Sequence, residues 1–226
     1  MKFTYYGHSC FSIDFDGFRL LFDPFISPNE KAEKIDIDAI QADYILLTHG
    51  HQDHVVDLER IAKNTGATLI SNYELVSYYG EKGIEGHPLN HGGSAEFPFG
   101  RVKYVTAIHS SVLPDGTYGG NPGGFVIEGK EQTFYFAGDT ALTYDMKLIP
   151  EMGFDLDVAI LPIGDNFTMG PDEAVKASDF VQCNQIIGVH YDTFPYIEID
   201  HEEAKKKFAG KNKTLYLLAV GEQIEI

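Results

Sequence analysis

His49-Gly50-His51-Gln52-Asp53-His54, lying directly after the apolar run Tyr44-Ile45-Leu46-Leu47-Thr48, decides how this chain folds and what it binds. Three imidazoles and a carboxylate in one tight turn at a strand end supply ligands for two adjacent metal ions. With 9 histidines in 226 residues, H-x-H-x-D-H arises by chance in roughly one such chain in a thousand, so a solvated turn with incidental histidines is the weaker reading.

Working outward, Val55, Leu58 and Ile61-Ala62 recur at helical spacing, and Gly66 stops that helix. Upstream, residues 1–6 and 11–15 read as strands, Asp16-Gly17 as a hairpin turn and 18–22 as the returning strand, which Asp23-Pro24 ends. Residues 27–40 are polar and read as loop with a little helix. Downstream, strands are expected at 68–71, 101–108, 124–128, 133–137, 158–162, 185–189 and 214–220. Helices are expected through Leu75-Val76, near 141–151, from Pro171 and over 200–208. Strands, then βα units, then the same again calls for an α/β architecture of two mixed sheets packed face to face with helices outside. No repeat is evident from residue identity, and residues 1–226 are expected to form a single domain.

Charge narrows the partners. Asp and Glu number 34 against 17 Lys and Arg, a formal −17. A binder of long nucleic acid concentrates basic residues, and here Arg19, Arg60 and Arg101 are scattered. The run Lys205-Lys206-Lys207 fits the last turns of a helix instead. Only 2 cysteines occur, Cys10 and Cys183, in no metal or redox spacing; reduced, partly buried thiols favour the cytoplasm. No apolar stretch is long enough to span a membrane. The 13% aromatic content leaves room for an apolar interface and a homo-oligomer.

Three more residues follow predicted strands: His109, Asp139 and His190. Strand ends are where sheets gather ligand sites, and with the cluster these make seven imidazole and carboxylate ligands, enough for two metals with positions left open. Zn is the first choice, and Mn, Fe and Ni suit the same donors.

H-x-H-x-D-H, the single His109, Asp139 in Ala137-Gly138-Asp139-Thr140 and His190 in Gly188-Val189-His190-Tyr191 resemble the five metal motifs of the metallo-β-lactamase fold superfamily, over nearly the whole chain. The resemblance implies an αββα four-layer sandwich with the site at one edge between the sheets. It implies that His49, His51 and His109 hold one metal, that Asp53, His54 and His190 hold the other, and that Asp139 bridges them. More narrowly, Gly7-His8-Ser9-Cys10-Phe11, Asp23-Pro24 and Gly119-Gly120-Asn121-Pro122 resemble a compact bacterial and archaeal branch of unassigned metal-dependent hydrolases. That branch is similar to the L-ascorbate-6-phosphate lactonases and, more distantly, to the N-acylphosphatidylethanolamine phospholipase D enzymes. Antibiotic-degrading members carry a Cys ligand and lack the bridging Asp, so β-lactamase activity is not expected. Oxygen-reducing di-iron members carry Glu where this chain has His51, which favours hydrolysis.

Two metals acidify bound water from about 16 toward about 7 and polarise a substrate oxygen. The expected reaction is therefore hydrolysis of a small ester, lactone or related carboxyl compound, with Asp53 or Asp139 orienting the water and handling its proton. A phosphodiesterase acting on a small phosphodiester is the alternative, and a non-catalytic metal-binding protein a third reading. His8 is a candidate for the cleft or for a partner of a ligand, and Asp23 for the acceptor of a ligand histidine's free N–H. Tyr191, Asp192, Thr193 and Phe194 are expected to wall the pocket, with Tyr191 donating to a developing oxyanion. Asn121 is placed at the cleft, whereas the glycine-rich stretch 119–124 lacks the Lys of a phosphate loop. His201 reads as an exposed first-turn residue after Asp200, and His87 and His91 as surface-loop residues.

Overall fold

Leu20, Leu21 and Phe22 show how the layers form. Successive strand side chains point to opposite faces, and Leu20 and Phe22 join one buried cluster while Leu21 joins another. Leu46 and Ile70 likewise face the first cluster, and Ile45, Leu47 and Leu69 the second. These strands are thus covered on both faces.

The computed structural model describes residues 1–226. Its first half contains β1 (Lys2–Gly7), β2 (Cys10–Phe15), β3 (Phe18–Phe22), β4 (Tyr44–Leu46), α1 (Gln52–Val55), α2 (Leu58–Thr65), β5 (Thr68–Asn72), α3 (Tyr73–Gly80) and β6 (Gly86–Leu89). The second contains β7 (Ser94–Phe97), β8 (Gly100–Thr106), β9 (Gly123–Glu128), β10 (Thr133–Phe136), α4 (Leu148–Glu151), β11 (Val158–Pro162), α5 (Pro171–Phe180), β12 (Gln185–Val189), α6 (His201–Ala209), β13 (Thr214–Tyr216) and β14 (Gln223–Glu225). They build two seven-stranded mixed sheets, ordered β14-β1-β2-β3-β4-β5-β6 and β13-β12-β11-β10-β9-β8-β7. Each sheet runs antiparallel in its earlier strands and parallel from β3 to β6 or from β10 to β13. The two halves therefore repeat one pairing order that residue identity conceals. This is the two-sheet α/β sandwich that the resemblance implies.

Aromatic side chains fill the space between the sheets. Phe11 and Phe22 stack at 4.5 Å, and both meet the edge of Phe136 from the opposite sheet, at 4.9 and 5.5 Å. Phe15 meets Phe134 in the same way at 5.2 Å. Each such pair adds about 0.5–1.5 kcal/mol beyond the area it buries. Much of the aromatic content thus serves the interior. Helices α2 and α3 cover the outside of the first sheet, and α5 and α6 pack on the second.

Some expectations change. The helix after the histidine motif is two helices, α1 and α2, because the chain bends at Asp57, whose N–H donates to Pro24 O at 3.1 Å. Residues 141–151 hold a 3₁₀ turn (Tyr144–Lys147) running into the short α4. Strands β6, β7 and β14 were not anticipated; β6 contains Pro88, tolerated because β6 is an edge strand. The last predicted strand stops at Tyr216, and the chain crosses to the first sheet as β14. Cys10 and Cys183 are unpaired and fully rather than partly buried. No helix is long and apolar enough to cross a membrane.

Candidate metal centre

The histidine turn leaves the end of β4 and enters α1, with His51 as the extended residue that caps the helix. One strand end and one helical turn thus deliver His49, His51, Asp53 and His54 to the same edge. The opposite sheet brings His109 from beyond β8, Asp139 from beyond β10 and His190 directly after β12. His190 N–H donates to His8 O at 2.8 Å, which ties the β1–β2 turn to the end of β12.

The ring and carboxylate atoms sort themselves into two sets. His49, His51 and His109 offer atoms that all lie within 4.8 Å of one another, and so do His8, Asp53, His54 and His190. Asp139 stands between the sets: its Oδ2 lies 3.6 Å from His109 Nε2, 3.4 Å from His54 Nε2 and 2.9 Å from His190 Nε2. His49 Nε2 and His51 Nδ1 converge at 3.0 Å, and His51 Nε2 turns outward to Ser110 Oγ at 3.2 Å.

Asp23 sets the tautomers from beneath. It is fully buried in a left-handed conformation and accepts Thr48 N–H at 2.8 Å. Its Oδ2 accepts the Thr48 hydroxyl at 2.7 Å and His54 Nδ1–H at 2.9 Å. Since the only hydroxyl proton of Thr48 is committed to Asp23, Thr48 Oγ1 accepts from His49 Nδ1 at 3.0 Å. Both rings are thereby fixed with Nε2 turned into the centre. His54 Nε2 and Asp139 Oδ1 are buried there without a hydrogen-bond partner. A buried polar atom left without a partner costs about 1–3 kcal/mol. Lone pairs and carboxylate oxygens aimed at a common space are the demand a divalent cation satisfies, so the residues fit such an ion.

The electrostatics agree. Burial, reinforced by the neighbouring histidines, holds His49 well below the usual imidazole range. Burial works against charge on His54, but the carboxylates of Asp139 and Asp23 outweigh it and hold the ring well above that range. Burial also opposes the charge of Asp53 and Asp139, and the surrounding histidines hold both carboxyls low. His8 is fully buried and pushed down to about 4, chiefly by burial, with His190 adding to it. It bridges Asp53 Oδ2 and Thr193 Oγ1, each at 3.0 Å from a ring nitrogen.

Above these groups opens a cleft of about 590 Å³. His51, Asp53, His109, Asp139 and His190 form its floor, Ser110 sits at the rim, and Phe167, Phe194, Pro195 and Tyr196 form one wall. Tyr191 is a correction. It is buried with its hydroxyl donating to Leu218 O at 3.0 Å, so it supports the fold rather than facing the cleft. Asn121 is another: its Oδ1 accepts from Tyr118 at 3.1 Å, and it does not line the cleft. Asp192 and Thr193 also lie outside the cleft; His201 opens α6 as expected, but is half-buried, with Nε2 2.7 Å from Asp192 Oδ2. Phe167, Pro195 and Tyr196 went unread, although their place after β11 and β12, at the same sheet edge as His190, is a signal for them. His87 lies on β6, and His91 Nε2 donates to Pro122 O at 2.8 Å, both away from the cleft.

Comparison with known proteins is consistent with this geometry. The Beta-lactamase superfamily domain matches residues 2–190. The UPF0173 metal-dependent hydrolase of Flavobacterium johnsoniae is 62% identical over 226 residues, covering all of both chains. YtkL of Bacillus subtilis, also a UPF0173 metal-dependent hydrolase, is 44% identical over 231 residues with both chains fully covered. The structure of Igni18, a metallo hydrolase of Ignicoccus hospitalis, superposes with a TM-score of 0.88 at 31% identity, covering 99% of this chain and 97% of that one. With a fold, a donor set and full-length relatives that agree, the chain belongs to the metallo-β-lactamase superfamily and is a metal-dependent hydrolase of its UPF0173 branch.

Proposed function

We propose that the chain is a single-domain dinuclear hydrolase of a small ester, lactone or related carboxyl compound. His49, His51 and His109 would hold one divalent cation, Asp53, His54 and His190 the second, and Asp139 both. The observation that carries this reading is the position of Asp139 Oδ2, within 3.6 Å of a ring nitrogen from each set. Zinc is the expected ion, and the same imidazole and carboxylate donors suit Mn, Fe or Ni.

When bound, the cations supply Lewis acidity and lower the pKa of coordinated water toward about 7. The chain's own residues then do the following. Asp139 is nearly sealed from solvent, whereas Asp53 is 31% exposed at the cleft floor. Asp53 is thus the carboxylate that reaches both the centre and an arriving substrate, and the proton acceptor we favour. His8 holds the Asp53 carboxylate by its Oδ2 at 3.0 Å and fixes its rotation. Phe167, Phe194 and Tyr196 exclude water from one side of the cleft. The phosphodiester reading gains nothing from the cleft, which offers no Lys or Arg to a phosphate. Reduced, buried Cys10 and Cys183 support a cytoplasmic location.

The test is metal content and turnover together. Protein loaded with Zn²⁺ or Mn²⁺ should bind two ions per chain and hydrolyse a carboxyl-ester reporter faster than a phosphodiester reporter. Asp139→Ala should abolish turnover, and His51→Ala should lose bound metal. Phosphodiester-dominant turnover would replace the carboxyl reading, and one ion per chain would end the dinuclear one.

A further inference from the structure

The cleft wall has a chemistry of its own. Phe167 and Tyr196 are 53% and 75% exposed, yet both face the same opening with ring centroids 6.3 Å apart, edge to face. Exposing two large aromatic groups side by side forgoes the burial that stabilises the rest of the fold.

Neither ring is on a slack loop. Phe167 follows Asp165 and Asn166, both left-handed, in a turn closed by Asp165 N–H to Met169 O at 3.0 Å. Met169 N–H donates to Thr140 O at 3.0 Å, anchoring that turn beside Asp139. Tyr196 stands on the segment after His190, where Asp192 N–H donates to Ile197 O at 2.7 Å and Asp192 Oδ1 accepts Ile199 N–H at 3.0 Å. Two hydrogen-bonded turns at neighbouring strand ends fix the backbone that carries the rings.

Charge restricts what can lie against them. No lysine or arginine lines the cleft. On the far side of Tyr196 a separate groove carries Asp165, Asp172, Glu198, Asp200 and Glu203. Its one cation, Lys207, is engaged by Asp172 at 2.6 Å and Glu203 at 3.4 Å. A substrate whose distal part is anionic would meet no partner in the cleft and repulsion beside it.

We propose that Phe167 and Tyr196 form an aromatic clamp that selects substrates whose group remote from the scissile carbonyl is uncharged and apolar, with an aryl group fitting best. The clamp rests on the carboxyl-hydrolase reading for its reaction but not for its binding. Burying one phenyl group against two rings is equivalent to several methylenes, and one methylene in an apolar pocket gives about 10- to 200-fold discrimination.

The experiment has two arms. In the first, saturation-transfer NMR follows N-benzylacetamide, an uncharged amide, against Zn-loaded protein. The wild type and Tyr144→Ser, a control at an exposed aromatic elsewhere (72% exposed), should give signal, and Phe167→Ser/Tyr196→Ser should not. In the second, kcat/KM for methyl phenylacetate is divided by that for monomethyl glutarate, whose acyl tail is anionic. The ratio should be about 10 to 100 in the wild type and collapse toward 1 in the double variant. Thermal melting of each variant confirms that it is folded. Absent NMR signal in the wild type, signal retained by the folded double variant, or a ratio near 1 in the wild type would each overturn the clamp. A loaded protein that hydrolyses neither ester would overturn the carboxyl reading instead, and the NMR arm would then decide the clamp alone.

Discussion

Asp23 lies outside both ligand sets predicted for the metals, yet it reaches both. Through His54 Nδ1 it orients one ring, and through the hydroxyl of Thr48 it orients His49. In Asp23→Asn, the amide NH₂ would face one of these donors and break the chain of tautomers. Affinity for Zn²⁺ should fall about 10- to 100-fold, the usual effect of removing such a partner, while the melt of the metal-free protein shows it folded. Competition with a chelator checks this. His54 sets the pH dependence of loading. The carboxylates of Asp139 and Asp23 raise its affinity for a proton in the metal-free protein, so a cation competes with a proton for the ring. Affinity should therefore rise with pH until His54 deprotonates unaided. Titration calorimetry in two buffers of different ionisation enthalpy should show proton release. The residues also show what sequence conveys. Asp23 was readable because a Pro follows it at a strand end and ligand imidazoles need an acceptor. Tyr191 was not, because being next to His190 in the chain does not say where a side chain points. His190 and Asp192 are both left-handed, which rotates the backbone between them.

At the level of elements, the centre draws Asp53 and His54 from the short α1 and the rest from turns at strand ends. His8, Asp23 and His190 all have positive φ, at 57°, 39° and 56°. Each costs on the order of 1 kcal/mol for a residue with a side chain, offset by the hydrogen bonds these turns make. Tight turns leave little space nearby. Any Cβ on Gly164, at the end of β11, would press on the carbonyl of His190 and on Ile197. Gly164→Ala should cost about 1–3 kcal/mol, as overpacking does. That is a drop in melting temperature of roughly 2–12 °C, with weaker metal binding because His190 shifts. Differential scanning calorimetry and metal content check both. β2 was legible from its alternation, since a buried face imposes period two, and β3 from the Asp16-Gly17 turn that returns the chain into an apolar run. β6 was not: Gly86, His87 and Pro88 carry little strand preference, and pairing with β5 outweighs it. Nor was the break between α1 and α2, which depends on a bond from Asp57 to Pro24, far away in sequence.

Across the whole molecule, the donor atoms come from both sheets. The turn after β4 supplies four of them, and the ends of β8, β10 and β12 supply the rest. Metal seated among them would hold one half of the repeated architecture to the other at a single edge, while Phe11, Phe22 and Phe136 hold the middle. Chelation should therefore lower the melting temperature, by an amount that grows with the free-metal concentration relative to Kd. Hydrogen exchange should quicken around residues 107–109, 138–140 and 188–194 and stay slow in β2, β3 and β10. Uniform quickening would point to global loosening instead. In a chain without a disulfide, bound metal would act as a removable rivet along one seam. A copy starved of metal would keep its shape but come ajar there, baring unpaired strand ends to proteases. Turnover of this protein in the cell would then follow the supply of metal, and its abundance would report on that supply without any dedicated sensor.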